Sequence, residues 1–164
     1  MDGLIYNQRK IPKSQWRYGL RSSAAVGCGW IATYNALYLL GRRAEPEKLI
    51  RYFERQLPLI HGNTGTNALG PAICLKQMGY TVKVSARRRE FDEMARQARV
   101  CILFYHWRKG VKLGAHFVAL EYQDGSYIGY NTYNNSTGPD DYGPDLDDFL
   151  RKKGYFGCVL TAVE

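Results

Sequence analysis

A two-residue turn in the second half of the chain constrains its fold more than any other feature. Asp124-Gly125 separates two strand-like segments, 115–122 and 127–133, and this dipeptide in that setting is typical of a tight β-hairpin. Three further segments are predicted to be strands from their apolar patterns: 81–85, 100–105 and 157–163. We therefore predict a mostly antiparallel sheet in this half of the chain.

The first half has helical periodicity instead. Apolar residues recur at helical spacing from Cys28 to Leu40, and Gly41 follows as a stop signal. Other helices are predicted over 46–56, 67–78, 91–99 and 145–153. Because the main helices precede the sheet, we predict an α+β fold with N-terminal helices packed on a mostly antiparallel sheet. Residues 1–164 are expected to form a single domain.

The charge of the chain does not by itself indicate a nucleic-acid partner. The formal net charge is +8, but basic residues are concentrated between Lys76 and Lys112, without a helix-turn-helix, zinc-finger or RNP-type pattern. We therefore predict a solvated basic face and no nucleic-acid binding. No apolar stretch is long enough to span a membrane, and residues 1–9 carry no export signal. The expected location is cytoplasmic, with no membrane partner.

The cysteine pattern argues against a metal site. Four cysteines occur, at positions 28, 74, 101 and 158, and their spacing fits neither a metal clip nor a redox motif. We expect four reduced thiols, no metal and no cofactor.

Cys28 is the candidate nucleophile. The segment Gly27-Cys28-Gly29 puts it at the start of a predicted helix, where free N–H groups and the helix dipole would lower the thiol pKa from about 8.5. The glycines would leave room for a substrate. Gly27, Gly29, Trp30 and Ala115 adjoin the nucleophile or its predicted base, and we expect them to contact the substrate. The alternative is an inert cysteine that begins a helix.

His116 is the candidate general base. It begins an apolar strand, and this rim position suits a ring that turns one nitrogen toward a thiolate. Its competitors are His61, in a loop rich in Gly and Asn, and His106, before a predicted turn. The alternative role for His116 is a core histidine satisfied by a carbonyl.

Asn131 is the candidate orienter of the histidine. The predicted hairpin returns the end of the second strand to the start of the His116 strand, so Asn131 is expected beside His116 and could accept a hydrogen bond from its ring. Asn134 and Asn135 are close enough in sequence to replace it. All three could equally be turn residues, a role that Asn favours.

The order Cys28, His116, Asn131 resembles the papain-like cysteine peptidase superfamily. The closer resemblance is to the double-glycine, bacteriocin-processing peptidase domain of peptide exporters and its stand-alone relatives. It rests on Cys28-Gly29 opening a helix, on Met78-Gly79-Tyr80 before a strand, on the segment Gly114–Leu120, and on an element order that extends from Gly27 to the C-terminus. The resemblance implies a papain-like fold and a Cys-His-Asn triad.

One departure concerns the oxyanion hole. That family has a glutamine a few residues before the cysteine, where this chain has Ser22, and the nearest upstream glutamine is Gln15. We expect Gln15 or Ser22 to supply the missing donor, whose loss would cost about a hundredfold or more in turnover.

The predicted function is a cysteine peptidase or amidase that forms a thioester with a peptide or small amide substrate. An amine acceptor instead of water would make it an acyltransferase. The alternative from another class is a catalytically silent papain-like domain that binds a peptide or protein partner, which the missing glutamine and the many aromatic residues would suit.

Overall fold

The computed structural model describes residues 3–55 and 65–164. Within these residues, six strands form one antiparallel sheet with the order β3-β8-β4-β5-β6-β7, and two short strands, β1 and β2, pair separately. The bounds are β1 Arg17–Tyr18, β2 Arg21–Ser22, β3 Val82–Ser85, β4 Val100–Lys109, β5 Lys112–Gln123, β6 Ser126–Tyr130, β7 Asp140–Asp141 and β8 Phe156–Val163.

The helices fall before and between these strands, as the periodicity predicts. They are α1 Ser23–Val26, α2 Cys28–Leu39, α3 Pro46–Arg55, α4 Gly70–Gln77, α5 Phe91–Gln97 and α6 Leu146–Lys152, with 3₁₀ turns at Gln8–Lys10 and Arg88–Glu90. The predicted α+β class, with N-terminal helices on an antiparallel sheet, is confirmed. The predicted helix end at Gln56 and the loop position His61 lie outside the described residues.

Both faces of the sheet are buried, which explains why the central strands are continuously apolar. One face of β4 and β5, with Ile102 and Phe117, packs into a core with α2, α3 and α4. The opposite face, with Leu103 and Val118, packs into a second core with α5 and α6. Since side chains alternate across a strand, each successive residue enters a different core. The molecule therefore has three layers, with the sheet in the middle.

The predicted hairpin between β5 and β6 is present. Gln123 pairs with Ser126 across the turn, and Asp124 and Gly125 have φ values of 51° and 85°, a left-handed pair that matches the twist of a hairpin. β6 ends at Tyr130, earlier than the predicted Tyr133. Its early end leaves the edge of β5 uncovered near residues 116 and 117.

The segment before Cys28 is more ordered than the sequence predicts. Asn35 of α2 is fully buried and binds the main chain of Ile5 twice, with its Oδ1 accepting from the N–H at 2.9 Å and its Nδ2 donating to the carbonyl at 2.8 Å. This pairing holds the N-terminal segment across α2. The residues that follow Ile5 are thereby placed near the beginning of that helix.

β4 is longer than predicted. It continues through His106 to Lys109, where the sequence suggested a turn, because Arg108 and Lys109 still pair with β5. No helix in the described part of the chain is both long and apolar enough to cross a membrane.

Candidate active site

Cys28 lies at the first turn of α2. Gly27 separates α1 from α2 and donates its N–H to the carbonyl of Ser23 at 2.8 Å. Cys28 is half-buried, whereas the other three cysteines, which also lie in the described part of the chain, are buried. Cys28 is therefore the least buried of these four cysteine residues.

The thiol of Cys28 is protonated in the resting protein. Burial raises its pKa to about 11, while the main-chain N–H groups of Phe117, Gly29 and Cys28 itself act in the opposite direction. The sequence predicts a lowered pKa from the helix start, but removal of the sulfur from water outweighs the favourable N–H groups.

His116 lies in the part of β5 that is not paired with β6. Its Nε2 is 2.7 Å from the main-chain carbonyl oxygen of Asn131. Because a carbonyl only accepts, this nitrogen carries the proton and Nδ1 keeps its lone pair. Burial lowers the pKa of His116, the Asn131 carbonyl raises it, and the nearby charge of Arg9 lowers it further. The ring is therefore neutral near pH 7 and can accept a proton at Nδ1.

The link between Cys28 and His116 is Phe117, the residue that follows the histidine. The main-chain N–H of Phe117 acts to lower the pKa of the Cys28 thiol, so the thiol lies beside the part of β5 that carries the imidazole. No hydrogen bond joins the thiol to the ring in the described structure, which is consistent with two neutral groups. Catalytic hydrogen bonds of this kind often tighten only when the substrate binds.

Asn131 is beside His116, but the contact is not the predicted one. The carbonyl, not the side chain, binds the ring. The side chain instead binds Gln8, whose main-chain N–H donates to Oδ1 at 2.7 Å and whose Oε1 accepts from Nδ2 at 3.1 Å. Asn131 has a φ of 67°, a left-handed conformation that Asn tolerates better than most residues. This backbone turn directs the side chain to Gln8 and the carbonyl to His116.

The alternative asparagines have other contacts. Asn134 accepts from the Nε of Arg9 at 3.2 Å through its Oδ1 and from Asn7 at 2.7 Å through its carbonyl. Asn135 is exposed. The structure therefore brings Asn131, rather than Asn134 or Asn135, to the histidine.

Gln8 is a site residue that the sequence analysis missed. It is buried, and its Nε2 donates to the carbonyl of Ala24 at 3.3 Å, one helical turn before Cys28. Its Oε1 also binds Asn131. The Gln8 side chain therefore connects the helix before Cys28 with the residue whose carbonyl holds the His116 ring. Only the fold connects Gln8 with Cys28, because no local motif marks a glutamine so far from the nucleophile.

Gln15 and Ser22, predicted for the oxyanion hole, line two clefts whose lining includes neither Cys28 nor His116. Gln15 is exposed and lines a cavity of about 200 Å³ with residues that include Ile5, Lys10 and Ser136, but neither Cys28 nor His116. Ser22 is half-buried, precedes α1 and makes no side-chain capping hydrogen bond. It lines a second, basic cleft beside Ala24.

Three of the four residues predicted to contact the substrate are closely packed by neighbouring groups. Trp30 is fully buried and donates to the Oγ of Ser23 at 3.1 Å. A Cβ on Gly27 would lie 2.6 Å from the carbonyl oxygen of Ser23, and one on Gly29 would lie 2.3 Å from the Oγ1 of Thr66. The glycines are required because neighbouring groups fill the space. Ala115 is exposed.

Tyr18 and Thr66 form a buried polar pair near Cys28. The hydroxyls of Tyr18 and Thr66 are 3.1 Å apart. Burial raises the pKa of Tyr18, the bond to Thr66 lowers it, and a negative charge on Cys28 would raise it again. Tyr18 therefore lies close enough to the sulfur to sense its ionisation.

Neither alternative histidine is supported as the base. His106 lies in β4, with its ring stacked on Phe156 at 5.5 Å and edge-on to Phe104 at 4.9 Å. His61 is outside the described residues. Within those residues, no group of three or more His, Cys, Asp or Glu side chains could hold a metal ion.

The fold places a half-buried cysteine at the start of the central helix α2 and a histidine on the strand β5 that packs against it. Among solved structures, the chain is similar to the peptidase domain of Streptococcus ComA, a bi-functional ABC transporter involved in a quorum sensing pathway. The TM-score is 0.54 at 16% sequence identity, covering 84% of this chain and 91% of that one. The predicted likeness to the bacteriocin-processing peptidase domain is thus confirmed for the fold. No family model and no curated protein sequence matches the chain.

Proposed function

We propose that this chain hydrolyses an amide bond in a peptide, with Cys28 as nucleophile and His116 as general base and acid. The observation that carries the proposal is that both groups lie beside the part of β5 that is not paired with β6. The Cys28 sulfur interacts with the N–H of Phe117, and the neighbouring His116 ring is held by the carbonyl of Asn131.

The first half of the reaction forms a thioester. The Sγ–H proton of Cys28 moves to Nδ1 of His116 while the sulfur attacks the substrate carbonyl carbon. The C–N bond then breaks, and the leaving amine takes the proton from Nδ1. The Nε2–H bond to Asn131 persists throughout and keeps the ring in the tautomer that this transfer requires.

The second half uses water. His116 removes a proton from water as the oxygen attacks the thioester carbonyl, the C–S bond breaks, and the sulfur recovers the proton. The products are a free acid, an amine and the resting thiol. An amine in place of water would give acyl transfer by the same steps, and the proposal takes water as the acceptor.

The oxyanion is assigned to the N-terminal end of α2. The main-chain N–H groups of Cys28 and Gly29 already lie near the sulfur. We add the side-chain amide of Gln8 as a third donor. Its Nε2 is bonded to the carbonyl of Ala24 at 3.3 Å, and this long hydrogen bond can be replaced by one to the developing oxyanion. Such donors stabilise the tetrahedral intermediate in a site shielded from water.

A second candidate is a silent peptide-binding domain. The specific observation in its favour is the raised pKa of Cys28 together with the absence of a direct bond between thiol and ring among the described residues. Such a domain would bind peptides in the same cleft without reacting.

Incubation with a library of short unstructured peptides, followed by mass spectrometry, separates the two candidates. We expect new termini with the wild type, and a loss of at least about a hundredfold in Cys28→Ser and in His116→Gln. Hydroxylamine added during turnover should trap the acyl group as a hydroxamate. Cys74→Ser is the matched control, because Cys74 is buried in the core. Cleavage that survives in Cys28→Ser would refute the proposal, and binding without cleavage would support the second candidate.

A further inference from the structure

Three cations line one cleft beside α1. Arg9, Lys13 and Arg21 are exposed and border a space of about 370 Å³. The remaining lining residues are Ser22, Ala24 and Ala25, so no carboxylate from the described part of the chain lines the cleft. The two alanines have small side chains, which leave space in the cleft. The two alanines belong to α1, the short helix that ends just before Gly27 and Cys28.

Arg9 connects this cleft to the catalytic base. Its charge acts on the ring of His116, and its Nε donates to the Oδ1 of Asn134 at 3.2 Å. The bond to Asn134 restrains the guanidinium near the histidine, and that partner is a neutral amide. The positive charge of Arg9 is therefore not neutralised by this contact.

The position of Arg9 indicates which part of a substrate it meets. His116 must deliver a proton to the leaving amine, so the chain that follows the cleaved bond lies beside the imidazole. Arg9 directly follows Gln8, which is bonded to Asn131, and the carbonyl of Asn131 holds the imidazole. A substrate segment that leaves past His116 consequently passes Arg9 and enters the cleft with Lys13 and Arg21.

We infer that this basic cleft binds a carboxylate on the leaving-group side of the peptide substrate. The inference rests on the proposed function and names its substrate class: peptides that carry Asp, Glu or a free C-terminal carboxylate shortly after the cleaved bond. Arginine and lysine bind carboxylates through charge-assisted hydrogen bonds. None of the described residues that line the cleft is acidic, so a substrate carboxylate would meet no like charge among them.

Binding to a protein that cannot react tests this inference separately from catalysis. The probes are three peptides with a neutral rhodamine derivative at the N-terminus: Ala-Leu-Gly-Gly-Glu-Glu-Ala amide, its Gln-Gln counterpart as the amide, and the same Gln-Gln peptide as the free acid. Gly-Gly offers an unhindered amide bond. Dissociation constants are measured with Cys28→Ala by fluorescence anisotropy at low and high salt.

We expect the Glu-Glu amide to bind at least about fivefold more tightly than the Gln-Gln amide, with the gap closing at high salt. Tighter binding of the free acid would identify the C-terminal carboxylate as a second source of the same chemistry. Equal binding of all three peptides would overturn the inference. Preference for a short oligothymidylate over the Glu-Glu peptide would also overturn it.

Charge variants locate the effect. Arg9→Gln and Lys13→Gln, each combined with Cys28→Ala, should reduce the Glu-to-Gln preference by at least about threefold. Lys76→Gln is the matched control, because Lys76 is an exposed lysine on α4 outside the cleft. Loss of the preference in the Lys76 variant, or its retention in both cleft variants, would refute the assignment.

Wild-type cleavage distinguishes the two proposals. Cleavage between the glycines and the glutamates, with the preference seen in binding, supports both. Selective binding of the Glu-Glu peptide without any Cys28-dependent cleavage leaves the carboxylate site in place and refutes the proposed hydrolysis. Cys28-dependent cleavage that does not distinguish the Glu-Glu peptide from the Gln-Gln peptide supports the proposed hydrolysis and refutes the carboxylate site.

Discussion

Gln8 and Asn131 are 123 positions apart in the chain, yet they exchange two hydrogen bonds in the interior. The carbonyl of the same asparagine binds His116. The N-terminal segment therefore holds the residue that positions the base. A change at Gln8 should act on the site and on the stability of the fold together.

The first prediction concerns Gln8→Ala. The variant leaves the Nδ2 of Asn131 buried without its partner, which should lower the free energy of unfolding by about 1–3 kcal/mol. Under folding conditions, turnover should also fall by about a hundredfold if the amide serves the oxyanion. Urea unfolding and peptide cleavage measure the two effects. Gln15→Ala is the control, since Gln15 is exposed, and a larger effect there than at position 8 would contradict the assignment.

The second prediction separates the carbonyl of Asn131 from its side chain. Asn131→Gly keeps the carbonyl and accommodates the φ of 67°, so kcat should fall far less than the roughly ten-thousandfold expected when an orienting side chain is lost. Asn131→Ala should be about 1 kcal/mol less stable than the glycine variant, because alanine is strained in the left-handed region.

Steady-state kinetics and urea unfolding on both Asn131 variants check this prediction. If the glycine variant is as inactive as His116→Gln while still folded, the side chain rather than the carbonyl orients the ring.

The third prediction concerns the ionisation of Cys28. With a pKa of about 11, the thiol should react with iodoacetamide more slowly near neutral pH than a free thiol of pKa about 8.5, and the rate should keep rising into the alkaline range. His116→Ala should leave this profile in place, because burial is the main cause of the shift.

Intact mass spectrometry with Cys28→Ser as control follows the alkylation. Fast reaction below neutral pH that disappears in His116→Ala would show instead a preformed thiolate–imidazolium pair.

The fourth prediction concerns the glycine after the nucleophile. In Gly29→Ala the new Cβ would lie 2.3 Å from the Oγ1 of Thr66, and such overpacking costs about 1–3 kcal/mol. Gly138→Ala is the matched control, because nothing lies within 4 Å of the Cβ it would add, and its free energy of unfolding should change by less than about 1 kcal/mol. Chemical denaturation of both variants decides, and equal stability would refute the packing role of Gly29.

Much of the fold could be predicted from local patterns. The period of apolar residues located α2, and Asp124-Gly125 located the hairpin, because both signals depend on neighbours in the chain. Cys28 and His116 could be selected because each has a distinctive local setting. Trp30 could not be assigned correctly, since a tryptophan near a nucleophile suits a cleft or a core equally well, and here it is fully buried.

The sequence by itself determined the α+β class, the helix that begins at Cys28 and the hairpin that brings Asn131 back to His116, because these follow from spacing along the chain. The tertiary structure alone decided the pairing of Gln8 with Asn131, the use of a carbonyl to hold His116, and the protonated state of Cys28. These properties depend on burial and on contacts between distant segments. Neither the degree of desolvation nor the direction of a left-handed carbonyl is visible in a linear pattern.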